Sequence, residues 1–387
     1  MKATWYTWGD RSQGSETTST FMANYKLISA DDKSGWVDAL KSCGVYDTYH
    51  CPEYHLLAEE QGEGTPFMFF FEDEGYRAAL PFLVRRVSYV EGLDDFKLFD
   101  VTSVYGYPGI VTNVGSSMTK ADVFRSGFQR LLLRVLRAQK VVAFFTRQNP
   151  LFQNSWLFQG IGEVRTIGRT VAIDLAQPGR EQEKNMTKGH RYDIRKAKES
   201  GIIAYEDKEF KHIEMFISMY NETMKRNNAR DYYYFPESYY HRLKKSLGQR
   251  LKLFVAEKDG MLISASLFLT MDNIIQYHLS GTPNMCLNLS GTKVILDEIR
   301  KWGTSKGYRW LHLGGGLGST EDSLFRFKAG FSKTRFSFEV VNMIIDPLVY
   351  RKLVDQRSRW ADSHDYENER TSDSFFPAYR TPVDRKE

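Results

Sequence analysis

Phe67-Met68-Phe69-Phe70-Phe71, then Glu72-Asp73-Glu74-Gly75, then Tyr76-Arg77-Ala78-Ala79-Leu80-Pro81-Phe82-Leu83 reads as an apolar run, an acidic turn and a second, mostly apolar run. The same three parts return at Leu251-Lys252-Leu253-Phe254-Val255-Ala256, Glu257-Lys258-Asp259-Gly260 and Met261-Leu262-Ile263-Ser264-Ala265-Ser266-Leu267-Phe268. Aromatic and aliphatic runs favour extended backbone, and a turn ending in Gly accepts positive φ, so each copy predicts a β-hairpin. Farther on, each copy is followed by an amphipathic helix and a short apolar strand. These span residues 122–139 and 141–146 in the first half and 291–306 and 310–313 in the second. The chain therefore reads as α/β in class (α+β in detail), with two tandem domains of one design, each a mixed, mostly antiparallel sheet flanked by helices.

At 387 residues, with 42% apolar and 14% aromatic side chains, the chain has enough for two cores. Polar residues 1–24 predict a loose N-terminal arm, 25–178 a first domain, 179–350 a second, and the charged residues 351–387 a tail anchored by Phe375-Phe376-Pro377. The domain break is placed at Pro178-Gly179, after an apparent strand at Thr170–Leu175. No stretch reaches the roughly 20 apolar residues that a membrane span needs, and no basic-then-apolar signal opens the chain. Cys43, Cys51 and Cys286 have neither disulfide-framework nor zinc spacing, and the eight histidines form no H-E-x-x-H pattern. A reducing, cytoplasmic setting and no metal are expected.

The net charge of +5 decides nothing alone, but Lys184, Lys188, His190, Arg191, Arg195, Lys196 and Lys198 crowd into one segment. With Glu183, Asp193 and Glu199 among them, the segment fits a solvated helix face as well as a phosphate-binding one. It predicts a basic helix over 181–200 closed by Gly201, followed by a helix over 210–226 whose Phe210, Ile213, Phe216, Ile217 and Tyr220 face a core. Residues 227–236, polar and then aromatic, predict a covering loop. In the first half, the stiff turn Tyr105-Gly106-Tyr107-Pro108-Gly109 presents Tyr105 and Tyr107 either to a substrate pocket or to the core edge. Gly314-Gly315-Gly316-Leu317-Gly318 follows a strand but lacks the Lys-Ser/Thr of a P-loop and the acidic partner of a dinucleotide site, so it reads as a flexible turn at a sheet edge.

The second half runs hairpin, third strand, glycine-bearing turn, helix, strand, short helix, strand. This order is similar to that of the GNAT acyltransferase superfamily. In its acyl-CoA users a Gln/Arg-x-x-Gly-x-Gly/Ala loop opens the central helix and holds the pyrophosphate on backbone N–H groups. Here that place reads Leu287-Asn288-Leu289-Ser290-Gly291-Thr292, with one Gly and no leading Arg. Tandem domains with a degraded CoA loop resemble the Fem family, which moves an amino acid from aminoacyl-tRNA to an amine, best known in peptidoglycan biosynthesis. The resemblance rests on residues 190–197 (His190-Arg191-Tyr192-Asp193-Ile194-Arg195-Lys196-Ala197), 219–226, Tyr277 to Gly281, and Leu324-Phe325-Arg326-Phe327-Lys328-Ala329-Gly330-Phe331. The chain lacks the long helical hairpin of the better-known members and looks like the compact ones.

That resemblance implies no resident cofactor, aminoacyl-tRNA as co-substrate, and an amine-bearing acceptor, nucleotide- or lipid-linked or peptide-like. It also implies that Lys328, beside Phe327, steadies the oxyanion formed when an amine attacks the ester. Arg226 is a candidate for gripping an acceptor phosphate, or else a surface ion pair. Tyr277 is a candidate for orienting the acceptor, or else an ordinary strand tyrosine. Arg191 and Arg195 are candidates for phosphate contact. No general base stands out. The alternative reading is an acyl-CoA-dependent GNAT N-acyltransferase.

Overall fold

In the computed structural model, which describes residues 13–18, 21–229, 233–364, 366–368 and 375–385, the chain forms two compact units. The first comprises Met1–Thr166 and Phe338–Glu387, the second Ile167–Ser337.

The first unit begins with β1 (Gln13–Thr18), β2 (Phe21–Ser29), α1 (Lys33–Cys43) and α2 (Pro52–Glu60). Next come β3 (Thr65–Asp73), β4 (Tyr76–Arg86), β5 (Phe99–Thr102), β6 (Val111–Thr112), α3 (Ala121–Ala138) and β7 (Val141–Arg147). The sheet order is β1-β2-β3-β4-β5-β7, antiparallel up to β5 and parallel between β5 and β7. β3 and β4 are the first predicted hairpin. Phe69 and Phe71, two apart and so on one face, meet Phe128 and Phe124 of α3 at 5.7 and 5.0 Å. Met68 and Phe70 on the other face are buried too, which is why the run does not alternate with polar residues.

β8 (Glu163–Asp174) leads into the second unit, followed by α4 (Gly179–Asn185), α5 (Lys188–Glu199), β9 (Ile203–Glu206), α6 (Ile213–Arg226) and α7 (Glu237–Leu247). Then come β10 (Leu251–Lys258), β11 (Met261–Met271), β12 (Ile274–Gly281), α8 (Gly291–Ser305), β13 (Trp310–Gly314), α9 (Ser323–Ala329) and β14 (Arg335–Ile344). The sheet order is β8-β13-β12-β11-β10-β9, with β12 and β13 parallel. The plan of the first unit is repeated: hairpin, third strand, helix, parallel strand. Even the turns agree, because Glu74-Gly75 and Asp259-Gly260 both hold positive φ at both positions, the geometry that matches strand twist in two-residue hairpins.

Each sheet also takes a strand from the other half of the chain. β8 pairs antiparallel with β13 through Asp174↔Trp310 and Ile173↔Leu311, while β14 pairs antiparallel with β7 through Val340↔Arg147. This exchange corrects the expected boundary at 178/179: the strand at 170–175 belongs to the second unit, and the chain crosses at Thr166/Ile167.

The expected tail is likewise part of the first unit. Asp346 caps α10 (Pro347–Ser363), which buries Leu353 and Ala361 and is followed by β15 (Tyr366–Asn368) and β16 (Val383–Arg385). Tyr379, fully buried, joins Leu353 in a cluster with Val87, Val90 and Val142. Of the arm expected over 1–24, residues 1–12 and 19–20 lie outside the described residues; 13–18 and 21–24 are paired strand instead. The basic helix is two helices, α4 and α5, because Thr187 caps a new start by accepting from the His190 N–H. In the covering loop, where 230–232 lie outside the described residues, Phe235 stacks on Tyr239 at 4.4 Å and the Tyr220 hydroxyl donates to the Tyr233 carbonyl.

Candidate active site

Parallel pairing of β12 with β13 stops at Gln276↔His312, while β12 continues to Gly281 and β13 to Gly314. Just beyond the last pair, Leu267 faces Leu279 but Phe268 faces Tyr277, so His278 is an inserted bulge residue. A bulge bends its strand away from the neighbour, and the two parallel strands part into a wedge.

Lys328 stands at that opening. It rides on α9, whose start is fixed by Asp322 accepting from the backbone N–H groups of Phe325 (2.8 Å) and Leu317 (3.2 Å). Its Nζ donates to the Gly315 carbonyl at 2.7 Å, just past the end of β13, and lies 5.8 Å from the ring centre of Tyr277 on β12. Only 9% of the residue is exposed. Burial pushes its pKa down to about 8, against a smaller opposing pull from Asp322. Tyr277 stacks on Phe268 at 5.4 Å, and its oxygen is hydrogen-bonded by the Ser280 and Ser266 hydroxyls, which are 2.9 Å apart. Burial raises the Tyr277 phenol above its ordinary pKa, and those two hydroxyls oppose the rise.

The start of α8 is built for packing. A Cβ on Gly291 would stand 3.0 Å from the Ser264 Cβ and 3.1 Å from Ile263, so the one glycine there lets helix and strand approach. The hydroxyls of Ser264, Thr282 and Thr292 bond one another at 2.8–3.0 Å beside it. Lys293, the first basic residue of the helix, is paired at 2.5 Å with Asp193. The loop thus offers neither the glycines nor the cation with which a pyrophosphate is held.

The remaining candidates fall into separate places. Arg226, half-buried at the end of α6, donates to the Thr282 carbonyl (3.1 Å), Asn284 Oδ1 (2.6 Å) and Thr223 Oγ1 (3.2 Å). With the Glu222 carboxylate accepting from the Asn284 N–H at 2.7 Å, it laces α6 to the loop leaving β12. Arg191 donates to the carbonyls of Met186 (2.7 Å) and Glu183 (3.1 Å), bracing the α4–α5 junction. Arg195 is exposed, 5.6 Å over the ring of Tyr192, with Glu199 at 3.7 Å. Phe327 is half-buried next to Lys328. Tyr105 and Tyr107 are half-buried in the first unit; Tyr107 meets Phe338 edge-on at 5.0 Å, and its carbonyl accepts from Asn149. The structure therefore gathers Lys328, Phe327 and Tyr277, sets Arg226 on an adjoining loop and leaves the arginines of α5 along one helix.

Two participants were not singled out from the sequence. The Gly315 carbonyl belongs to the glycine run, which follows a strand paired on both sides, not one at a sheet edge. His190, which stands in the basic segment and in the resemblance segment 190–197 but was given no role, turns inward to Phe327. Among the described residues one trio has metal-ligand types in reach, Glu214, Glu237 and His241, all exposed, with the imidazole 3.1 and 3.7 Å from the two carboxylates. No described helix is long and apolar enough to cross a membrane.

Residues 184–328 match the model of the acetyltransferase (GNAT) domain. The match ends on Lys328. No curated protein matches the chain. Among solved structures, FemX is similar with a TM-score of 0.64 at 12% identity, covering 85% of this chain and 99% of that one. A conserved protein of unknown function from Bacteroides thetaiotaomicron gives 0.51 at 10% identity (82% and 99% covered). A C-terminal domain (DUF2156) assigned to lysylphosphatidylglycerol synthetase from Agrobacterium fabrum gives 0.50 at 12% identity (81% and 92%). At such identities the likeness concerns fold. With the domain match over the second unit, it shows a GNAT-like α/β fold.

Proposed function

We propose that the chain forms an amide by moving an aminoacyl group from aminoacyl-tRNA to an amine. The observation that carries this reading is the nearly buried Lys328 ammonium between the end of β13 and Tyr277 of β12. The acceptor nitrogen attacks the ester carbonyl carbon, the carbonyl oxygen takes up negative charge, and the carbon–oxygen ester bond then breaks. The proton lost by the nitrogen ends on the departing ribose oxygen, relayed by the neighbouring ribose hydroxyl. Lys328 touches the oxyanion, where a fixed cation in a water-poor site contributes about 3–4 kcal/mol. Tyr277 borders the same opening and orients the acceptor. The acceptor is a peptidoglycan or other envelope precursor or a peptide-like metabolite, and dependence on charged tRNA sets the reaction in the cytoplasm.

A second reading, acyl-CoA-dependent N-acyltransfer, is favoured by the domain match and disfavoured by the start of α8, where Gly291 is taken up by packing and Lys293 by Asp193. Thermal-shift titration with acetyl-CoA and, separately, with a charged acceptor-stem RNA tests the two. Stabilisation by the charged RNA, weakening steeply with salt, supports aminoacyl transfer. Stabilisation by acetyl-CoA together with thiol release on turnover replaces it.

A further inference from the structure

His190 lies on another helix from Lys328, at the head of the segment 190–197 that carries the family resemblance, and was given no role of its own there. Its Nε2 is 2.9 Å from the Phe327 carbonyl oxygen. A carbonyl only accepts, so Nε2 carries the proton and donates. The ring is seated edge-on against Phe331 at 4.7 Å and lies 5.6 Å from Phe327. Space for it exists because residue 330 has no side chain: a Cβ on Gly330 would stand 2.4 Å from His190 Cε1 and Nε2. The Gly330 carbonyl in turn accepts from the Thr187 N–H at 2.9 Å, so the first turn of α5 grips both the carbonyl just before Lys328 and the one two residues beyond it.

α9 has seven residues, too few to hold its own geometry without tertiary contacts. What sets the position of the Lys328 ammonium is therefore its neighbours, and the clamp from α5 acts on the adjoining peptide. We propose that His190 is a positioning residue: its hydrogen bond to the Phe327 carbonyl, made possible by Gly330, fixes α9 so that Lys328 Nζ reaches the Gly315 carbonyl and presents its remaining N–H groups to the reacting ester. This rests on the aminoacyl-transfer reading for its catalytic meaning, but the positioning is a separate physical claim.

The two are separated by reading Lys328 directly. Protein made with lysine labelled at 13Cε is titrated by NMR, with Lys328→Arg identifying the resonance. Wild type is expected to titrate near 8, as burial dictates, against an ordinary value of 10.5. His190→Phe keeps a ring against Phe331 and deletes only the bond; Gly330→Ala pushes the imidazole off by its Cβ; His190→Gln retains an N–H that reaches the carbonyl. The expected result is a Lys328 titration moved towards 10.5 in the first two and unchanged in His190→Gln, with transfer reduced about tenfold to a hundredfold in kcat at unaltered KM in the same two variants. An unshifted Lys328 in folded His190→Phe or Gly330→Ala overturns the proposal, and so does a shift in His190→Gln equal to theirs. Should Lys328 respond as expected while no charged tRNA supports transfer by wild type, the positioning stands and the aminoacyl-transfer reading falls.

Discussion

The Nζ of Lys328 donates to the carbonyl oxygen of Gly315 across 2.7 Å, tying α9 to the end of β13 where that strand has parted from β12. An ammonium has three N–H donors, and this carbonyl takes one. No ion pair to Lys328 is found among the described residues, so its charge, in a nearly buried place, is offset only by the smaller pull of Asp322. That is costly for a folded protein, and useful to a reaction that generates an oxyanion.

The pH dependence of transfer should therefore fall on the alkaline side. With Lys328 protonated only below about 8, the rate of the chemical step declines as pH rises through that value, although rising pH frees the acceptor amine. Lys328→Arg, which stays charged, should remove the alkaline decline at some loss of rate, and Lys328→Ala should cost about a hundredfold to a thousandfold. Single-turnover rates between pH 6.5 and 9.5 check this; a rate that climbs through pH 8 would make the neutral amine a base instead.

Stability should carry the same signature with the opposite trend. Below about pH 8 Lys328 is protonated in both folded and unfolded chains; between about 8 and 10.5 the unfolded chain still holds the proton that the folded one has lost. The unfolded state then binds more protons, so this group makes stability rise with pH across that window. Lys328→Met should be more stable than wild type at pH 7, with the gap closing by pH 10.5. Urea midpoints at the two pH values measure it.

Arg226 makes a different kind of claim. Its three bonds go to Thr282, Asn284 and Thr223, which makes it a brace for the loop between β12 and α8. Arg226→Ala should destabilise by about 1–3 kcal/mol and speed amide exchange over 282–290. Weakened substrate binding with unchanged exchange would instead mark a phosphate grip.

What the sequence discloses here follows the range of the forces involved. Both hairpins, α3, α8 and the strands after them are written in local patterns: apolar runs flanking a turn, helical spacing, and Gly75 and Gly260 in turns. The exchange of β8 and β14 is written in no local pattern, because a strand such as Val171–Ile173 has the same composition whichever neighbour it pairs with. Charge misleads at both ends of the argument. Residues after 351 read as a tail, yet Arg357 is buried against the Glu91 carbonyl and lies 4.3 Å over the ring of Trp360. In the site, Phe327, Lys328 and Tyr277 are legible as motif residues with a role, whereas His190, though in a motif segment, is legible only as one of its basic residues: its inward bond depends on the missing Cβ of Gly330, distant in sequence.

The C-terminal residues offer a last and decisive contrast between a tail and a clasp. Asp100, fully buried on β5, is held by Arg85 at 2.7 Å through one oxygen, and by Arg380 at 2.5 Å and the Tyr379 hydroxyl at 3.0 Å through the other. Arg380 also donates to the Arg86 carbonyl at 2.8 Å. Two of the three side-chain partners of a buried carboxylate thus come from the end of the chain. Arg380→Ala leaves that charge underpaired in the interior and should destabilise by about 3–5 kcal/mol, whereas a surface ion pair contributes less than about 1 kcal/mol. Adding Asp100→Asn should recover part of the loss, since the charge that lacked a partner is then gone, and the double mutant should be more stable than Arg380→Ala alone. Truncation after residue 374 should match or exceed the Arg380→Ala loss. Equilibrium urea unfolding of the four proteins decides it: a truncation without cost would return these residues to the status of a tail.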